Sequence, residues 1–105
     1  MSRERLEVPC HGLVLILSKR DSAVPGVGTV WVLELYRRGP AHSIQVVGIV
    51  GRYGDAPRFV APDPEYPHST HCVWLGSSCV DVPKRSWLKL KAQCEQIDTR
   101  QSVTA

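Results

Sequence analysis

Proline and glycine, eight of each in 105 residues, cut the apolar segments of this chain to strand length. LVLILS (13–18), TVWVLELY (29–36) and SIQVVGIV (43–50) are short, and the last two are rich in β-branched or aromatic residues. Runs of this length between Gly/Pro signals read as strands, because a packed helix needs a longer periodic stretch. RFVA (58–61) and the segment 70–75 supply two more strands, and Gly48 inside the third run predicts a bulge or bend. Five or six short strands without a central helix predict an all-β domain. Closure into a small barrel is favoured, because it removes unpaired edges.

The remaining segments are less regular. Residues 1–10 read as an N-terminal arm in which SRERLE forms at most a helical turn before Pro9 ends it. Pro57, Pro62, Pro64 and Pro67 fall in one stretch and predict an extended connection poor in ladder hydrogen bonds. The segment SWLKLKAQCEQID is ambiguous. Leu88, Leu90, Ala92 and Cys94 alternate with polar residues as in a strand. Trp87, Leu90, Cys94 and Ile97 also share one helical face, and Lys, Ala, Gln and Glu favour helix. A strand over 86–91 is expected, running into a helical turn. The alternative is an α+β arrangement with a C-terminal helix packed on an antiparallel sheet. The tail 99–105 is expected to fray. The length suits a single domain over 1–105.

Apolar residues make up 43 % of the chain, a globular level, and the net charge of +3 is mildly basic. Neither a signal peptide nor a membrane-length apolar run is visible, so a soluble cytoplasmic protein is expected, with no membrane partner. Cys10, Cys72, Cys79 and Cys94 are then expected as reduced thiols.

HSTHCVWLGSSC (68–79) concentrates His and Cys, but its spacing does not suit a metal. On a strand His71 faces away from Cys72, and His68 and Cys72 would stand ~13 Å apart. The expectation is therefore no metal and no cofactor, with Cys72 and Cys94 acting as small buried hydrophobes. His42, Cys10 and Cys79 lie near turns where a nucleophile could sit, yet no nucleophile motif surrounds them, and no phosphate loop is present. Catalytic residues are left unassigned.

The basic residues give a clearer pattern. They fall in pairs at strand ends, Lys19-Arg20, Arg37-Arg38 and Lys84-Arg85, with Arg52, Arg58, Lys89 and Lys91 added. KRSWLKLK (84–91) carries four cations and no acid. On a strand Trp87, Lys89 and Lys91 share a face, and an aromatic ring beside cations suits single-stranded nucleic acid. Lysines on an edge strand can equally be there to prevent edge-to-edge association. Trp31 and Trp74, inside apolar runs, are expected in the core.

VPKRSWLKL and QID resemble the C-terminal part of PemK/MazF-type toxins. GLVLILSKRD is similar to the family's early apolar strand, and IQVVGIVGR to its next central strand. The resemblance implies an SH3-like barrel, a homodimer, an antitoxin-like protein partner and metal-independent cleavage of single-stranded RNA. That chemistry needs an Arg to stabilise charge on the reacting phosphate and a polar group at the cleavage site. The family's Gly-x-x-Arg-Pro stretch is absent, and Val50-Gly51-Arg52 stands where a Thr usually closes the central strand. The candidate RNA-binding residues are Arg52, Lys84, Arg85, Trp87, Lys89 and Lys91. A protein-interaction module, an adaptor or inhibitor contacting its partner through Tyr53, Phe59 and Tyr66 around the proline-rich connection, is the alternative.

Overall fold

The computed structural model describes residues 4–22, 25–26, 28–52 and 54–103, with backbone alone for residue 4 and residues 97–103. Among the described residues seven strands precede one helix. They are β1 (Glu4–Cys10), β2 (Leu13–Asp21), β3 (Thr29–Arg38), β4 (Ser43–Val50), β5 (Arg58–Val60), β6 (Cys72–Leu75) and β7 (Ser78–Asp81), followed by α1 (Lys84–Val103). The strands form two antiparallel sheets, one of order β1-β2-β3-β4 and one of order β5-β6-β7. The protein is mostly β with one C-terminal helix. The expected closed barrel is not formed: among the described residues no ladder joins the two sheets. Among the described residues no helix is long and apolar enough to cross a membrane.

The segment expected as an N-terminal arm is strand β1. Its turn into β2 has only two residues, His11 and Gly12, with φ of 50° and 80°. Positive φ at both central residues is the signature of a type I′ hairpin, which matches the twist of the flanking strands. Pro9 does not end β1, because β1 is an edge strand and an edge tolerates a missing outward N–H. Its carbonyl accepts a hydrogen bond from the buried Ser86 hydroxyl of α1. The helix thereby caps the open side of that edge.

The segment expected as a strand over 86–91 is helix. Both periods were present in the sequence, and burial separates them. Trp87, Leu90 and Cys94, spaced for a helix, are buried, whereas Leu88 of the alternating pattern is 50 % exposed. Full burial of a side chain such as Leu90 contributes about 1.5–3 kcal/mol, and only the helix brings Trp87 and Leu90 to the core together. The Trp87 amide closes the first helical turn on the Pro83 carbonyl at 2.8 Å.

Strand alternation divides the four-stranded sheet into two faces. Leu15 and Leu17 of β2, Trp31, Leu33 and Leu35 of β3 and Val8 and Cys10 of β1 point inward. There they meet Val73, Leu75, Val80, Val82, Trp87, Leu90 and Cys94. Gly51, just after β4, lets the second sheet approach, since a Cβ there would sit 3.0 Å from the Leu75 side chain. The expected irregularity in β4 is a bulge, but it falls at Val46 rather than Gly48: Leu35 pairs with Val47 and Tyr36 with Gln45.

The proline-rich connection is folded on itself rather than extended. The Tyr66 amide bonds the Asp63 carbonyl, the Glu65 amide bonds the Asp63 carboxylate, and the Ser69 hydroxyl bonds the Tyr66 carbonyl.

Candidate functional site

Helix α1 carries five of the six expected RNA-binding residues, and three of them, Lys84, Arg85 and Lys89, share its outward face. Lys84, Arg85, Lys89 and Lys91 are all exposed. At 100° per residue Lys84, Arg85 and Lys89 lie on the arc facing away from Leu90 and Cys94, with the half-exposed Leu88 among them, whereas Lys91 borders the buried face beside Trp87. Arg52 and Trp87 do not join them. Arg52 lies in the loop after β4, where its backbone N–H donates to the Asp55 carboxylate at 2.9 Å. Trp87 is 5 % exposed, and its indole N–H donates to the Cys72 carbonyl at 2.9 Å. Its ring meets Phe59 and His71 edge-on and carries the Lys91 ammonium 5.3 Å from its centre. A ring so enclosed offers no face to a base.

Trp74 takes the opposite course. Expected in the core, it is only partly buried, on the outer face of the second sheet, because β6 alternates Val73 and Leu75 inward. The Arg58 guanidinium sits 5.7 Å from its ring centre, and Cys79 lies opposite it on β7. Trp31 is in the core as expected.

The histidines and cysteines scatter. His71 packs on Trp87, while the Cys72 thiol lies on the other side of β6 within hydrogen-bond reach of Thr70. Among the described residues no three His, Cys, Asp or Glu side chains are grouped as a metal would require. None of the four cysteines is in a disulfide, and Cys10 and Cys94 are buried whereas Cys79 is exposed. Burial, with the Asp81 carboxylate adding to it, raises the Cys10 thiol above its ordinary pKa. That is the reverse of what an activated nucleophile needs.

The outer face of the four-stranded sheet carries a polar constellation that sequence reading missed. The Arg20 guanidinium bonds the Glu34 carboxylate at 2.7 Å and the Ser18 hydroxyl at 3.2 Å. The Tyr36 hydroxyl donates to the other Glu34 oxygen at 2.6 Å and lies 3.1 Å from the Gln45 amide. That charge-assisted bond, foremost, raises the Tyr36 pKa. Arg38 reaches the Glu7 carboxylate at 2.6 Å, and Arg5 approaches it at 3.8 Å. Arg5, Ser18, Arg20, Glu34, Tyr36 and Arg38 frame a cavity of about 290 Å³ over Val14 and Ile16, with Glu7 beside it on Arg38. The signal was available, though faint: Glu34 is a lone acid in an apolar run, with Tyr36 and Arg38 following at the strand period of two.

Compared with known families, curated proteins and solved structures, the chain matches none of them.

Proposed function

We propose that this chain is an RNA-directed, β-rich domain that holds the phosphate backbone of single-stranded RNA against the exposed face of α1. The charge distribution along the helix carries this reading. Lys84, Arg85, Lys89 and Lys91 project from its N-terminal half, and the first turn contains no acidic residue. The backbone dipole is already positive there, so cations are placed against it. The arrangement is unfavourable in the free protein and favourable beside a polyanion. With Trp87 enclosed, recognition rests on phosphate contacts rather than base stacking, which makes it tolerant of sequence and steep in salt. RNA cleavage, implied by the PemK/MazF resemblance, is one outcome of the test.

The test is a gel assay of single-stranded RNA in EDTA at low salt, beside a variant reversing Lys84, Arg85 and Lys89 to Glu. The three side chains are exposed, so circular dichroism of the variant should match the parent. Retarded RNA with the parent and none with the variant is expected. Variants that neutralise one of these cations at a time should each lower the salt slope by about 0.7 per phosphate contact removed. Metal-independent cleavage lost in the variant would add nuclease activity. Equal behaviour of the two proteins, or no effect with either, overturns the reading.

A protein-partner reading is favoured by a different surface. Edge strand β4 carries no charged residue, and its Ile44, Val46 and Val50 are 52 %, 47 % and 69 % exposed. An uncharged apolar edge invites another strand, and a second copy of this chain pairing through β4 would form a symmetric dimer. Light scattering on the parent and on Val50→Lys tests this: a dimer that becomes monomeric supports it, and a monomeric parent removes it.

A further inference from the structure

The outer face of the four-stranded sheet lies on the opposite side from α1, and its cavity is not needed for the RNA reading. Three guanidiniums, from Arg5, Arg20 and Arg38, line it together with the Ser18 and Ser43 side chains and Tyr36, against one acid, Glu34. Glu34 neutralises Arg20, and its own side chain is 15 % exposed. Among the described residues Arg5 and Arg38 share one acid, Glu7, so this end of the cavity carries an excess of positive charge. The Arg38–Glu7 pair is open to water, at 65 % and 41 % exposure. Exposed pairs of this kind contribute little to stability, so Glu7 can be exchanged for another acid at little cost. The Nε of Arg20 is buried without an acceptor, which leaves the network one acceptor short. Beneath the charges the floor is apolar, formed by Val14 and Ile16.

We propose that this cavity is a binding site for a small organic oxyanion, a molecule whose carboxylate or phosphate group takes the place of the Glu7 carboxylate between Arg38 and Arg5. Arginine is suited to the task, because its planar fork offers two parallel N–H donors to either group. The Ser43 side chain at the rim adds a further donor, and Val14 and Ile16 receive the carbon frame of the ligand. Glu7 acts as an internal stand-in that keeps the guanidiniums apart and aimed while the site is free. The cavity volume, at the small end of the range for ligand pockets, suits a single ring or a short chain rather than a polymer.

The experiment is backbone-amide NMR of the full chain titrated separately with inorganic phosphate, acetate, phenyl phosphate and benzoate, each to about 10 mM, above the millimolar affinity expected of a small site. Saturable shifts should centre on β2, β3 and the Ser43 end of β4, with the two ring-bearing probes binding several-fold tighter than the bare ions. The tighter of phenyl phosphate and benzoate identifies the preferred head group. Arg38→Ala should weaken binding by about tenfold, the loss of one charge-assisted bidentate contact. Glu7→Gln should tighten it, because the competing carboxylate is gone; a purely structural ion pair predicts no such gain. Both residues are exposed, so neither change threatens the fold. The variant reversing Lys84, Arg85 and Lys89 should bind the probes as the parent does, so failure of the RNA reading leaves this one standing. Absence of saturable shifts with all four probes, shifts confined to α1, or weaker binding by Glu7→Gln overturns the proposal.

Discussion

The two faces of the four-stranded sheet bury residues by different means. On the inner face Leu15, Leu17 and Leu33 are fully buried beneath the second sheet and α1. On the outer face Ile16 and Ser18 are nearly as inaccessible, at 7 % and 3 %, yet among the described residues no second layer of strands or helices lies over them. The long side chains of Arg20, Glu34 and Tyr36 pass over that face and bond to one another. Burial alone therefore does not mark a core. The inner face is held by packing, which is non-directional and large in sum; the outer face is held by a few directional bonds, which fail singly.

That contrast can be broken experimentally, beginning with the inner face. Leu33→Ala should cost about 2–5 kcal/mol, the range for a large-to-small change in a packed core. Urea denaturation would measure it, and a loss below 1 kcal/mol would mean that the inner layers are loosely joined. Glu34→Ala comes next. It leaves the Arg20 guanidinium and the Tyr36 hydroxyl without their shared acceptor, and should cost about 1–3 kcal/mol. Glu34→Gln, which keeps an acceptor, should recover part of that loss in the same denaturation. If both variants match the parent, the polar cover contributes nothing.

The smallest effect is read in alkali. The raised Tyr36 pKa means that the neutral phenol is favoured in the folded state, chiefly by its bond to Glu34. Its contribution is fully present below the ordinary tyrosine pKa near 10 and is lost as pH rises through the raised value. Tyrosinate absorbance should therefore include one late-titrating component, absent from Tyr36→Phe. The stability difference between parent and variant should narrow above pH ~10. A parent in which every tyrosine titrates together contradicts the geometry.

The strands that the sequence predicted best, 13–18, 29–36, 43–50 and 70–75, are those whose apolar residues alternate or run unbroken between turn residues. β1 was obscured by Pro9 and by its charges, which are compatible with an edge strand but not with an interior one. Its type I′ turn, His11-Gly12, was not read as a turn, because His11 is not one of the residues usual at the first central position of such a turn. The helix was hidden by coincidence: Leu90 and Cys94 satisfy both periods, and choosing between them required knowing whether Trp87 or Leu88 faces the core. Two tryptophans were misplaced, Trp87 by that coincidence and Trp74 by the strand parity of β6, which turns Val73 and Leu75 inward. Trp87 was expected to be open and is enclosed, whereas Trp74 was expected in the core and lies partly open beside Arg58. The polar cavity was the least legible feature. Arg20 and Glu34 are 14 residues apart, and only the pairing register of β2 and β3 brings them together.

The bond from Ser86 to the Pro9 carbonyl spans 77 residues of chain. The four-stranded sheet, by contrast, is a meander in which each strand pairs with its sequence neighbour. Local pairings form quickly, and distant ones wait on loop closure. During synthesis all four strands of the meander are made before α1. For that interval the apolar inner face and the β1 edge are uncovered, a state open to association with other nascent chains. The helix thus has a role in time as well as in space: its arrival ends the most vulnerable period in the life of the chain.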